Sequence, residues 1–329
     1  MIRKLILSLL VLMTLVGCSR APQVKNEKIK VVTTIYPVYN WVQNLVSDSD
    51  NIEVEYLLDK GVDLHSFQPS SEDIMDISTS DLFIHVGGES DEWVEDVLNQ
   101  AVNKNMKVIN LMEVLKDRVK EEEIIEGMED NHHHDHEHEE EHDHKEDEHE
   151  HEHEHEYDEH VWLSLKNAKI CCEEITKIIS SLDSKNADLY KNNLNGYLAK
   201  LDELDEQYEQ TIKSASFDTI IVADRFPFRY LVDDYGLKYY AAFVGCSAET
   251  EASFDTIVFL ANKLDELGLK DIVHLESSDG SIAKTVRDTS KTKDAEIRIL
   301  NSLQSKPVSN EDYLDVMKYN LEVIKEILH

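Results

Sequence analysis

The stretch Asp188 to Ile212 carries Leu194, Tyr197, Leu198, Leu201, Leu204 and Tyr208 at intervals of three and four, with no proline among them. That period puts the apolar side chains on one stripe and predicts a single long amphipathic helix. Gly196 weakens the helix by no more than about 1 kcal/mol relative to alanine. Strand and helix signals alternate on both sides of it. Upstream, Lys30–Tyr36, Ile52–Leu58, Leu82–Val86 and Lys107–Leu111 read as strands, with helical spacing after Pro37 and through Trp93, Val94, Val97 and Leu98. A further helix starts near Leu165. Downstream, Thr219–Ala223, Lys238–Ala242, Asp271–Leu275 and Ile297–Leu300 read as strands, and Ser253–Leu267 and Tyr313–Leu328 as helices. Strands separated by helices argue for parallel sheets. The expected fold is α/β: two lobes with parallel sheets, residues 29–183 and 215–329, bridged by one long helix within 184–214.

One segment cannot belong to either core. Asn131 to Glu156 holds 11 His, 13 acidic residues, one Asn and one Lys, with no apolar side chain. Such a run cannot offset its ordering entropy by burial, so residues of about 119–157 are expected to form a disordered loop within the first lobe. Its imidazoles are His132, His133, His134, His136, His138, His142, His144, His149, His151, His153 and His155. Crowded imidazoles and carboxylates make weak, exchangeable cation sites, which protonation near pH ~6.5 empties. The whole chain has 33 basic against 68 acidic residues, a formal charge of −35, to which the segment contributes 1 − 13 = −12. That balance disfavours a polyanionic partner, and no nucleic acid is expected, because phosphate binding rests on lysine and arginine.

The amino terminus reads as an export signal. Arg3 and Lys4 precede the apolar run Leu5–Val16, which is too short for a membrane span of ~20 residues but right for a signal peptide covering residues 1–17. Leu15-Val16-Gly17-Cys18 resembles a bacterial lipobox. Cys18 is then the lipidated first residue of a tether (18–28), and the protein is extracytoplasmic and membrane-anchored, on a Gram-positive surface or in a periplasm. Cys171, Cys172 and Cys246 remain, which permits at most one disulfide and leaves a thiol over. Three cysteines could also suggest a thiolate metal site, but no CxxC spacing is present, and small buried residues, with or without one bridge, are the expected role.

Outside the acidic segment five histidines remain: His65, His85, His160, His274 and His329. Ligands in open α/β sheets sit beyond the carboxyl ends of strands. That singles out His65, in a loop after a strand, and His160, just before a helix. His85 and His274 lie inside apolar strand runs and read as satisfied strand histidines. No HExxH or GxSxG is present, so the sequence points to binding rather than catalysis.

GVDLHSFQPSSEDI (61–74), YDEHVWLSLKNAK (157–169), YLVDDYGLKYY (230–240), SAETEAS (247–253) and HLESSDG (274–280) with AKTV (283–286) follow one another in this order. Together they resemble the zinc/manganese ABC-transporter substrate-binding lipoproteins, over nearly the whole mature chain. The resemblance implies two α/β lobes bridged by one helix with a metal ion in the cleft, and puts the first two ligands on His65 and His160. Its third ligand, a His or Glu, falls ten residues before Tyr235, on Arg225, whose guanidinium has no free lone pair. Asp224 is the nearest replacement; in the alternative, Arg225 pairs with Asp224 or with a carboxylate of the last motif and neither is a ligand. The fourth ligand falls on Glu276 or Asp279. Two imidazoles with carboxylates suit tetrahedral Zn2+; Mn2+, which prefers more oxygen donors, is the alternative. The implied protein is a non-enzymatic monomer that hands its ion to an ABC permease and its ATPase. A surface metal buffer or adhesin is a second reading, and a secreted zinc hydrolase a disfavoured third.

Overall fold

The computed structural model describes residues 28–59, 61–129, 156–247, 251–304 and 311–329. The export signal, Cys18 and the eleven histidines from His132 to His155 lie outside these residues.

Two parallel four-stranded sheets form, as the alternation predicts. Strands β1 (Ile29–Thr33), β2 (Ile52–Tyr56), β3 (Leu82–His85) and β4 (Lys107–Asn110) pair in the order β2-β1-β3-β4. Strands β5 (Thr219–Phe226), β6 (Lys238–Val244), β7 (Asp271–Leu275) and β8 (Glu296–Leu300) pair as β6-β5-β7-β8, the same order one lobe later. The first strand is shorter than its sequence suggests, because Pro37 sets the first turn of the helix Tyr36–Leu45 and ends extended pairing. Strand β5 is longer. Its pairing with β6 shifts register between Val222 and Arg225, and this irregularity carries Asp224 and Arg225 to the carboxyl end of the sheet.

Helix boundaries follow local chemistry. Ser70 and Asp73 make a reciprocal capping box at Ser71–Thr79, Ser164 caps Leu165–Leu182 through the Asn167 N–H, and Asp312 with Asp315 boxes the start of Tyr313–Leu328. The short helices Ser71–Thr79, Arg229–Tyr235 and Ser281–Thr289 are too brief to register as a sequence period.

The long helix runs Ala187–Lys213, about 40 Å at 1.5 Å per residue. It packs on Tyr36–Leu45 and Leu165–Leu182 from one side and on Tyr313–Leu328 and Arg229–Tyr235 from the other. Tyr190, Tyr197, Leu201, Leu204 and Tyr208 face inward, and the Tyr208 hydroxyl donates to the Met317 carbonyl at 2.6 Å. One apolar cluster contains Val31 and Ile84 of the first sheet, Leu201 of the long helix and Ile220 and Val222 of the second sheet. A core shared between lobes resists the wide hinge motion that two separate cores would allow.

Candidate metal centre

Both histidines singled out by the sequence arrive on short turns. After β2 the chain enters one 3-10 turn, Leu64–Ser66, where Asp63 Oδ1 accepts the His65 backbone N–H at 3.1 Å. His160 precedes a similar turn, Val161–Leu163. Asp158 holds it twice: Oδ1 accepts the His160 backbone N–H at 2.8 Å and faces ring Nδ1 at 2.9 Å. A carboxylate beside Nδ1 makes that nitrogen the protonated one and leaves the Nε2 lone pair free. Trp162 packs against the His160 ring with centroids 5.2 Å apart, and His160 is fully buried.

The two Nε2 atoms lie 3.2 Å apart. Imidazoles on one tetrahedral zinc ion, each at about 2.0–2.1 Å, stand about 3.4 Å apart, so the pair is set near the separation an ion needs. Burial and then the adjacent His160 push the His65 imidazole well below the ordinary histidine range, against the opposing pull of Asp63. His65 is therefore neutral at pH 7, which is the ligand form.

Gln304 stands against both rings and was not singled out from the sequence, since nothing about a lone Gln after a strand signals chemistry. It follows β8 and places Nε2 2.9 Å from His65 Nε2 and 2.5 Å from His160 Nε2. Its two N–H groups donate toward both ring lone pairs and mark the point where they converge. Gln304 Oε1 is buried without a hydrogen-bond partner, an arrangement that costs about 1–3 kcal/mol. A cation at that point would engage the oxygen once the amide turned over.

Cys246 completes the group. The chain leaves β6 through Gly245, where any Cβ would come within 3.0 Å of His160 Cε1, and the Cys246 N–H then donates to Glu122 Oε1 at 3.0 Å. One donor atom each from His65, His160 and Cys246 lie within 4.8 Å of one another. Burial, with Asp158, Glu122 and Glu159 close by, raises the Cys246 thiol well above its usual value. Glu159 is itself pushed up to about 7 by burial; its Oε1 accepts the Ser90 N–H at 2.8 Å and its Oε2 lies 3.6 Å from His65 Nδ1. A cavity of about 300 Å³ opens over His65 and Cys246, lined by Glu89, Glu92, Glu122, Glu156 and Glu159. The acidic side chains around this mouth draw cations toward it.

Arg225 holds the lobes rather than an ion. Its Nη2 meets Asp63 Oδ2 at 2.9 Å, reaching from β5 to the turn that carries His65. Burial alone would raise the Asp63 carboxyl, but the guanidinium outweighs it and keeps Asp63 below the usual carboxylate range. The partner is thus Asp63, not Asp224 or the last motif. The three carboxylates expected as ligands stand outside the His65–His160–Cys246 group. Asp224 accepts from the Arg225 N–H at 2.9 Å, the Leu275 N–H at 3.1 Å and the Ser278 hydroxyl at 2.5 Å, tying β5 to the end of β7. Glu276 accepts both the Ser302 N–H at 2.8 Å and its hydroxyl at 2.9 Å, bracing the loop that presents Gln304. Asp279 is exposed and caps Ser281–Thr289 through the Ser281 N–H at 2.8 Å. Asp224 and Glu276 each accept on both oxygens, whereas Asp279 accepts on Oδ1 alone.

The other sites behave structurally. His85 Nδ1 meets Asp91 Oδ2 at 3.1 Å and His274 Nδ1 meets the Leu275 carbonyl at 2.9 Å, inside their strands. Cys171, Cys172 and Cys246 are all free thiols, and the first two are buried in the core.

Asp158 offers a test of how the pair is tuned. Asp158→Asn keeps an acceptor near Nδ1 but removes its charge, and zinc affinity should fall about 10–100-fold with little change in fold. Titration calorimetry beside circular dichroism checks this, and an unchanged affinity would remove Asp158 from the account.

Two parallel α/β sheets with one long helix packed against elements of both, and His65 and His160 of one lobe beside Gln304 and Cys246 of the other, have the layout of a two-lobed binding protein. A family model described as ZnuA, zinc-uptake complex component A, periplasmic, matches residues 31–327. The chain belongs to this family, which is one of uptake components and not of enzymes. It is 30% identical over 308 residues to the high-affinity zinc uptake system protein ZnuA of Bacillus subtilis, covering 92% of this chain and 89% of that one. It is 29% identical over 313 residues to the zinc-binding protein AdcA of Streptococcus pyogenes serotype M3, covering 93% of this chain but only 58% of the streptococcal protein. Among solved structures, the metal-dependent lipoprotein YcdH of Bacillus subtilis superposes with a TM-score of 0.69 at 26% identity, over 92% of this chain and all of that one.

Proposed function

We propose that this protein captures Zn2+ outside the cytoplasm and delivers it to an ABC permease and its ATPase, with Cys18 as the lipid anchor. The observation that carries the reading is the His65–His160 pair: two imidazole nitrogens 3.2 Å apart, one fixed by a carboxylate, at the junction of two lobes. Nitrogen donors that converge on one point suit zinc, whereas manganese prefers an oxygen-rich, higher-coordinate shell. Gln304, from the second lobe, adds its amide oxygen to the histidines of the first. An ion so held stabilises the closed arrangement, and a permease that parts the lobes separates the donors and frees it. Arg225 contributes closure of its own through Asp63, so the cleft stays assembled before an ion arrives. Acidic residues at the mouth concentrate the cation. The test is growth and zinc uptake under zinc limitation in cells lacking this chain. Wild type should restore both, and His65→Ala or His160→Ala should restore neither; full rescue by both variants would refute capture at this pair.

The His- and acid-rich segment is proposed as a gathering element that feeds the mouth, where Glu156 already stands. Two classes of zinc site are expected at pH 7.5, one tight and several weak. Deleting residues 131–155 should remove the weak class alone. Lowering the pH to about 5.5 should empty the weak class first in the intact chain, because free imidazoles protonate near ~6.5 while His65, held below that range, keeps its lone pair. Zinc titration with and without the segment reads both effects. Loss of the tight class on deletion would mean that the segment supplies a primary ligand.

A further inference from the structure

We propose that Cys246 is the third protein ligand of the captured ion, its thiolate standing in for the donor that Arg225 cannot be. This rests on the capture reading above and extends it to the donor set. Geometry is the first argument. In a tetrahedral zinc site with Zn–N of about 2.0–2.1 Å and Zn–S of about 2.3 Å, a thiolate lies about 3.6 Å from each imidazole nitrogen. The Cys246 donor already lies within 4.8 Å of those of His65 and His160, so a shift on the order of 1 Å completes the triangle. A side-chain rotation supplies that much without moving β6.

Placement is the second argument. His65 and His160 come from the first lobe, and a captured ion bridges the lobes only if the second supplies a donor. The family's position for it, residue 225, is spent on the ion pair with Asp63 at 2.9 Å. Asp224, Glu276 and Asp279 are bound to backbone and hydroxyl donors. Among the described residues, Cys246 is the second-lobe side chain grouped with the two histidines as a metal donor. Gly245 is what brings it there, since a Cβ at that position would press on both His160 Cε1 and the Phe226 carbonyl at 3.0 Å. The third argument is the orphaned oxygen. Gln304, 1% exposed, has an Oε1 with no hydrogen-bond partner and an Nε2 on both imidazoles, so two nitrogens, one sulfur and one amide oxygen make up a four-coordinate shell.

Binding is then a proton exchange. The zinc–sulfur bond forms as the thiol proton leaves to solvent, with no change of oxidation state, and one proton is released per ion. A His2Cys set with an amide oxygen is softer than a set of histidines and carboxylates and discriminates further against manganese. It also makes the cargo site sensitive to thiol oxidants and alkylating agents, which the family's nitrogen and oxygen donors are not.

Cobalt(II) reads the sulfur directly. The full chain titrated with one equivalent of cobalt(II) should develop a sulfur-to-cobalt charge-transfer absorption in the near ultraviolet, and Cys246→Ser should bind the ion without that band and at least about tenfold more weakly. On the wild type, one equivalent of zinc should protect Cys246 from iodoacetamide, read at that residue by mass spectrometry. Cys171 and Cys172, at 1% and 0% exposure, serve as internal references for folding. A bound cobalt ion without the band, together with unprotected Cys246, would overturn the thiolate ligand and leave capture at the histidines standing. No stoichiometric binding, in a protein equally indifferent to His65→Ala and His160→Ala, would overturn both.

Discussion

His160→Ala is expected to weaken zinc binding at the tight site at least about a hundredfold, or about 2.7 kcal/mol. The size follows from how completely the ring is committed. It is fully buried, its Nδ1 is fixed by Asp158, and its Nε2 stands 3.2 Å from the other imidazole. Little reorganisation is needed for the ion to take this ligand, so its loss is felt nearly in full, and no water can enter with the same preset geometry. The variant also deprives Asp158 and Gln304 of their ring partner. Isothermal titration should therefore be read beside the unfolding curve of the ion-free protein. A tight site that survives in a folded His160→Ala variant would sink the ligand assignment.

Trp162→Ala carries the largest expected effect on stability, about 3–5 kcal/mol, out of a total of about 5–15 kcal/mol for a typical domain. Trp162, of the first lobe, is fully buried next to His160 and bonds to residues of the second. Its Nε1–H donates to the Ser302 carbonyl at 2.9 Å, and its own carbonyl accepts the Tyr313 hydroxyl at 2.7 Å. Removing the indole leaves a cavity behind the metal ligand and an unpaired carbonyl in the loop that carries Gln304. Zinc affinity should fall with stability, because the wall that fixes the His160 ring is gone. Trp162→Phe refills most of the volume and loses only the N–H bond, so it should cost about 1–2 kcal/mol. Urea unfolding separates the cases, and a Trp162→Ala loss below 1 kcal/mol would contradict the packing argument.

The fold was legible because its signals are local. Alternating strand and helix runs are repeated on either side of Asp188–Ile212, and the observed helix Ala187–Lys213 extends that period by one residue at each end. That His65 and His160 come together was legible because each is a histidine in a loop near a sheet end, with motif words around it. The rest of the site depends on tertiary geometry. Gln304 and Cys246 carry no pattern of their own, and they matter only because β8 and β6 end beside the same pair of rings. Asp224, Glu276 and Asp279 were singled out as carboxylates near motif positions, and sequence does not show that backbone and hydroxyl donors bind each of them outside the His65–His160–Cys246 group. Arg225 was legible as a departure from the family pattern, but its partner, Asp63, lies 162 residues away across the cleft.

The most direct test is zinc X-ray absorption on the chain loaded with one equivalent of the ion. The account predicts a four-coordinate shell with two imidazole nitrogens at about 2.0–2.1 Å, and loss of one imidazole signature in each of His65→Ala and His160→Ala. A shell built from oxygen alone, or one unchanged in both variants, would contradict it.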